Sequence, residues 1–358
     1  MGKAKYVAYV STYTTLNSKT GIRIFDVDMK GGKLTERGGV EITNSSYMTC
    51  SHNDKFLYSI TDTGVVGFRI LEDGELEQIN TQSINGMRGC YLSTDYRDEF
   101  LFVAGYHDGK ITVLRIHEDG RIGSITDEIF VRGIGEVADR SYFPHVNCVK
   151  MSRDNKYLFA ADIGMDHINV YELDRNSGKL KEVDIIRCNL DAAPRHILFN
   201  RNGKQFYIVN EMSNMIDVYN YTPGGKYPDF EKIQEVSTLN DYHAGKCVSS
   251  ALKFSTDGKY LVSSNAGDNS VIIYNINKEE GTLSKVLCLP ISGSYPKDAA
   301  LFPDNKHLVS LNNESNTMTF FSVDLEKGLL AMCAKEVKID KPNCIVFYRL
   351  DKEEEQQE

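Results

Sequence analysis

The side chains in this sequence best suited to chemistry are cations and carboxylates that stand at the ends of short apolar runs. Arg140 and His145 (DRSYFPHVN), Arg195 and His196 (APRHILF) and Lys297 (SYPKDAA) each precede such a run. Asp62, Tyr106, His107, Asp108, Asp162, Asp166, Asn210, Glu211, Asn265, Asn312 and Asn313 each follow one. An arginine fork suits a carboxylate, a phosphate or a developing oxyanion. Glu211 or His145 suits a general base that activates water, and His145 follows Pro144, whose ring fixes the approach of the chain. The same residues have plainer uses. Arg195 and Glu211 suit a structural ion pair, His107 suits an exposed loop, and Asp62, Asp162, Asp166, Asn265 and Asn312 suit turns that bond nearby backbone N–H groups. No P-loop, Rossmann glycine fingerprint, Gly-x-Ser-x-Gly or His-Glu-x-x-His occurs.

These residues are positioned by a repeat. Alternating β-branched and aromatic residues, then a turn, then Gly-x-Leu or a near variant, recur as GIRIFDVDMKGGKL (21–34), VVGFRILEDGEL (65–76), ITVLRIHEDGRI (111–122) and INVYELDRNSGKL (168–180). Three more copies are IDVYNYTPGGKY (216–227), VIIYNINKEEGTL (271–283) and MTFFSVDLEKGLL (318–330). Their turn glycines fall at 32, 74, 120, 178, 225, 281 and 328. A second phrase, a polar turn followed by a short strand, precedes copies two to seven, as in SRDNKYLFAA (152–161) and STDGKYLVSS (255–264). Period-2 alternation reads as strand, and Asp/Asn/Gly turns read as hairpins. Each unit therefore has four strands, A to D, and seven such units predict an all-β, seven-bladed β-propeller.

The ends predict how the ring closes. YVAYVSTYT (6–14) reads as a strand B, and PNCIVFYRL, beginning at Pro342, reads as a strand A. The C-terminal strand is thus expected to complete the first blade, leaving no exposed edge there. Residues 1–350 are expected to form one propeller and 351–358 an acidic disordered tail. Strands A and B form a hairpin, so loops before A and after B converge on one mouth of the central channel. The chemically suited residues all belong to those loops.

Composition narrows the function. The 358 residues carry 50 acidic and 41 basic side chains, a net charge of −9, which argues against nucleic acid as a partner. Tyr (20) and Phe (16) are abundant and favour strands, while the absence of Trp disfavours repeat families with a Trp signature. No apolar stretch approaches a membrane span, and MGKAKYVAYVSTYT lacks the apolar core of a signal peptide. The eight Cys form no C-x-x-C and mostly sit in apolar runs, so they read as buried small hydrophobes in a reducing, cytoplasmic compartment. No metal or other cofactor is expected.

In these motifs the chain resembles the seven-bladed propeller lactonases, a family of bacterial 6-phosphogluconolactonases and fungal carboxy-muconate cyclising enzymes. The resemblance runs from YVAYVSTYT to PNCIVF and rests on Pro144-His145, DIGMD, Pro194-Arg195-His196, Asn210-Glu211 and SSNAGDNSV. It implies His145, Arg195 and Glu211 as catalytic residues. Arg140, His196, Asn210, Asn265 and Lys297 are then expected at the substrate. Three positions depart from the family: Asn147 replaces a second His, Ala266 an Arg, and Lys297 the Arg of a further Pro-Arg. A lost guanidinium removes a charge-assisted bond of about 1.5–3 kcal/mol. The implied activity is hydrolysis of a small anionic sugar-acid lactone, with 6-phosphogluconolactone as the implied substrate. A catalytically degenerate ligand-binding or scaffold propeller and a muconate-type cycloisomerase are the alternatives. The sequence leaves the oligomeric state open.

Overall fold

The computed structural model describes residues 5–16, 18–133, 143–225, 227–240 and 246–351. The expected tail from 352 onward and Arg140 lie outside the described residues. Seven four-stranded antiparallel sheets are present, and among the described residues no helix occurs, so none is long and apolar enough to cross a membrane. The seven innermost strands are Met48–Cys50, Tyr91–Thr94, Val146–Met151, Pro194–Phe199, Val248–Phe254, Pro296–Leu301 and Pro342–Arg349. The last of these pairs with Tyr6–Thr12 and so supplies the inner strand of blade 1, as the ends of the sequence predict.

The blades form where alternation forms them. In Tyr157–Asp162 every side chain is buried, because a second strand lies between two neighbours and two blades. In the outer strand Lys179–Arg187 only Leu180 and Ile186 are, because one face meets water. Six of the seven expected turn glycines adopt positive φ; in blade 5 the left-handed residue is Gly224 (φ 62) in place of Gly225. The third and fourth strands of all seven blades share a register shift at one equivalent place, such as Ile24/Phe25, Val170/Tyr171 and Ile273/Tyr274. A bulge there increases the local twist that a wedge-shaped blade requires.

Buried aromatics hold blade to blade. Phe159 of blade 4 packs against Phe199, Phe206, Tyr221 and Phe230 of blade 5, with ring centroids 4.9–5.9 Å apart. The tyrosines add a directional link. Tyr9, Tyr58 and Tyr207 occupy one equivalent position on second strands, and each hydroxyl donates to the turn glycine of the next blade. The acceptors are Gly74 O (2.8 Å), Gly120 O (3.1 Å) and Gly281 O (2.8 Å). The Gly-x-Leu turn thus presents a carbonyl to the preceding blade.

Tyr207→Phe will leave the Gly281 carbonyl without this donor in a buried site, lowering stability by about 1–2 kcal/mol. A urea titration checks this, with the midpoint falling and the slope unchanged.

Candidate active site

The mouth of the channel is built by one backbone device. In blades 4, 5, 7 and 1 the ladder between first and second strands skips one residue at its start: Asn147, Arg195, Lys297 and Asn343 respectively. Blade 6 skips Ser250 together with Ala251. A bulged residue leaves the ladder and its side chain is re-aimed, here toward the channel. The equivalent residues of blades 2 and 3 are Ser46 and Cys90. Just before this position the backbone is left-handed in four blades, at Asn44, Ala193, Tyr295 and Lys341, and in three of them a proline follows.

The seven residues form a closed circuit, each donating to the next blade. Ser46 Oγ donates to Gly89 O (2.9 Å), Cys90 Sγ to Val146 O (3.4 Å) and Asn147 Nδ2 to Arg195 O (3.2 Å). Arg195 Nε donates to Ser250 O (3.1 Å) and Ser250 Oγ to Lys297 O (3.0 Å). Lys297 Nζ donates to Asn343 Oδ1 (2.8 Å) and Asn343 Nδ2 to Ser45 O (3.0 Å), closing the ring. Asn147, where the resemblance expects histidine, is therefore a link between blades 4 and 5.

Above this ring lies a cavity of about 530 Å³, whose lining includes Arg195, Glu211, Lys297, Arg88, Tyr13, Tyr106 and Tyr295, with His196 and Asp298 deeper. Arg195 and Glu211 form an ion pair through Nη1 and Oε2, with side chains 18% and 20% exposed. Burial alone would lower the Arg195 pKa; the Glu211 charge and hydrogen bond outweigh it and hold the guanidinium protonated above its ordinary range. Burial and the nearby Arg195 bring Lys297 down to about 8. His196 is pushed well below its usual value by burial and by Arg195, Lys253 and Lys297, so it is neutral at physiological pH. It sits against Tyr91 and Tyr47, with centroids at 5.2 and 6.0 Å, in the floor of the cavity. Cys90, though it lines the cavity, is raised to about 12 chiefly by burial and stays a thiol, a poor nucleophile.

The expected site residues thus separate. Arg195, Glu211, His196 and Lys297 come together on the cavity. His145 lies behind the wall: its ring stacks on Tyr106 at 4.4 Å, and Nδ1 lies 2.6 Å from the Tyr106 carbonyl, so that nitrogen carries the proton. Asn210 and Asn265, expected at the substrate, do not reach it. Asn210 Nδ2 donates to Asp217 (2.9 Å) and Asn265 Nδ2 to Thr238 O (2.7 Å), both buried inside their blades. The reason is alternation: the last residue of the second strand turns into the blade and its successor toward the channel. That successor is Glu211 in blade 5, Tyr13 in blade 1, Tyr106 in blade 3 and Asn313 in blade 7, whereas in blade 6 the strand runs one residue further, to the buried Ala266. Of residues not expected there, Arg88 was detectable, since it lies three residues before the first strand Tyr91–Thr94.

A family model described as a lactonase with a seven-bladed β-propeller matches residues 7–347. The chain belongs to that family. It is 31% identical over 305 residues to the 6-phosphogluconolactonase of Bacillus subtilis, covering 84% of this chain and 86% of that one. A structure from Bacteroides fragilis, described as a candidate 6-phosphogluconolactonase, superposes with a TM-score of 0.85 at 31% identity over 96% of this chain and 98% of that one. The periplasmic gluconolactonase of Pseudomonas aeruginosa shares the fold, with a TM-score of 0.88 at 24% identity over 97% and 100% of the two chains.

Beneath the cavity of this lactonase, Asp298 ties three blades together. It accepts from Lys253 Nζ and from Ile345 N (2.9 Å), joining blades 6, 7 and 1. Asp298→Ala will strand the buried Lys253 cation and lower stability by about 3–5 kcal/mol. Chemical denaturation against wild type measures it.

Proposed function

We propose that this lactonase hydrolyses a phosphorylated sugar-acid lactone of the 6-phosphogluconolactone kind at the Arg195–Glu211 pair. The observation that carries this reading is that pair itself, one guanidinium and one carboxylate held together on the wall of a cavity of sugar size. Only Oε2 of Glu211 is engaged by Arg195, so the second carboxylate oxygen faces water as general base. Water attacks the ring carbonyl carbon, its proton passes to Glu211, and the carbonyl oxygen becomes an oxyanion beside the Arg195 guanidinium. The ring C–O bond then breaks, and the departing alkoxide takes the proton back, giving the open hydroxy acid. Glu211 is preferred to His145 as base because His145 lies behind Tyr106 and orients that ring. His196, being neutral, contributes a hydrogen-bond donor and no positive charge. Eight free cysteines fit a reducing compartment, and a cytoplasmic location is proposed on that basis.

Arg195→Ala is expected to lower kcat for lactone opening by about 10²–10³-fold, and Glu211→Gln by about 10²–10⁴-fold, followed by acid release in a pH-stat. Wild-type turnover persisting in both variants would remove this assignment.

Lys297 supplies a pH dependence of known sign. Its depressed pKa means the cation is present below about 8 and is lost as the pH rises through that value. KM for an anionic lactone will therefore climb above about pH 8. In Lys297→Arg the climb will be absent, because guanidinium stays charged.

A further inference from the structure

The cavity has a second group of cations, across the ring from Arg195 and Glu211. Tyr13 belongs to blade 1, as far from blade 5 as seven blades allow. Two cations lie on its ring: Arg88 Cζ is 4.9 Å and Lys297 Nζ 5.0 Å from the centroid. Lys297 Nζ also lies 3.4 Å from the Tyr13 hydroxyl and 2.8 Å from Asn343 Oδ1. Among the described residues it has no carboxylate within ion-pair distance. Arg88 uses Nη1 on Asp62 (3.0 Å), a carboxylate shared with Asn44 Nδ2 (2.9 Å). Among the described residues its Nε and Nη2 have no acceptor. The neighbouring Lys341 adds a further cation to this side of the wall. Two cations fixed on one aromatic ring repel each other, and an anion between them relieves that repulsion.

We infer that Arg88 and Lys297, held over Tyr13, form the subsite for the phosphoryl group of the substrate and set the preference for phosphorylated over unphosphorylated lactones. This rests on the lactonase reading above and deepens it. A phosphoryl group presents three acceptor oxygens, which match the two remaining edges of a guanidinium and a lysine point charge. The arrangement also separates the two anions of the reaction. The carboxylate forms beside Arg195, while the phosphoryl group stays at Tyr13. The depressed pKa of Lys297, set first by burial and then by Arg195, fits a lysine with no carboxylate partner among the described residues. Arg88 is the sharper probe of the two, because it lies at the rim, 31% exposed, and outside the closed circuit of the channel mouth.

The test compares kcat/KM for 6-phosphogluconolactone and glucono-1,5-lactone in wild type, Arg88→Gln and Arg88→Lys. The expected result is a fall of about tenfold or more in the phosphorylated-to-unphosphorylated ratio for Arg88→Gln, carried by KM, with Arg88→Lys intermediate. A ratio within about twofold of wild type overturns the inference, and so does an equal loss on both substrates. Calorimetric binding of the products separates failure of this inference from failure of the lactonase reading. Should wild type open neither lactone, the lactonase reading falls. The subsite still stands if 6-phosphogluconate binds more tightly than gluconate and that advantage disappears in Arg88→Gln. Equal affinities for the two acids overturn it.

Discussion

The closed circuit of donors at the channel mouth is the constraint on which the rest of this molecule depends. Each of seven innermost strands presents one side chain to its neighbour, and the circuit returns through Asn343 to Ser45. That closure exists only because the final strand pairs with the first, Tyr6 opposite Arg349. The long-range pairing and the local bulges therefore serve one outcome. Arg195 and Lys297 are links of this circuit as well as lining of the cavity, so their aliphatic stems are fixed before any ligand arrives.

The charge distribution follows from the same geometry. An acidic protein of net charge −9 has concentrated Arg88, Arg195, Lys253, Lys297 and Lys341 at one mouth. Glu211, Asp298 and Asp62 answer three of them directly. What remains is a positive excess around Tyr13, in a confined space where each charge is felt more strongly than at the surface. Arginine at the pair with Glu211 and lysine at the unanswered position are not equivalent choices. One stays charged at any physiological pH, and the other responds to alkali.

Repeats made the architecture legible in the sequence. Seven copies of one strand pattern and two complementary ends sufficed for blade number and closure, because period-2 alternation is a local property. Arg195, Glu211 and Lys297 were legible for the same reason, as loop residues at the right strand ends. Asn210 and Asn265 were misplaced by a single residue, and that is the sensitivity of a strand: one step turns a side chain from cavity to blade. Arg88 was overlooked because its loop lacks the proline that marks Lys297. The role of the tyrosines was legible only as a β preference. That Tyr9, Tyr58 and Tyr207 bond the turn glycines of adjacent blades needed the ring to be assembled.

The circuit also behaves as a hoop. Widening its aperture at one point would stretch a bond in every blade, since no link is anchored independently of the next. A ligand therefore meets an opening whose diameter the circuit sets, and is admitted by shape and charge. Loosening any single link, even Ser46 on the far side from Glu211, would slacken the grip on all of the others.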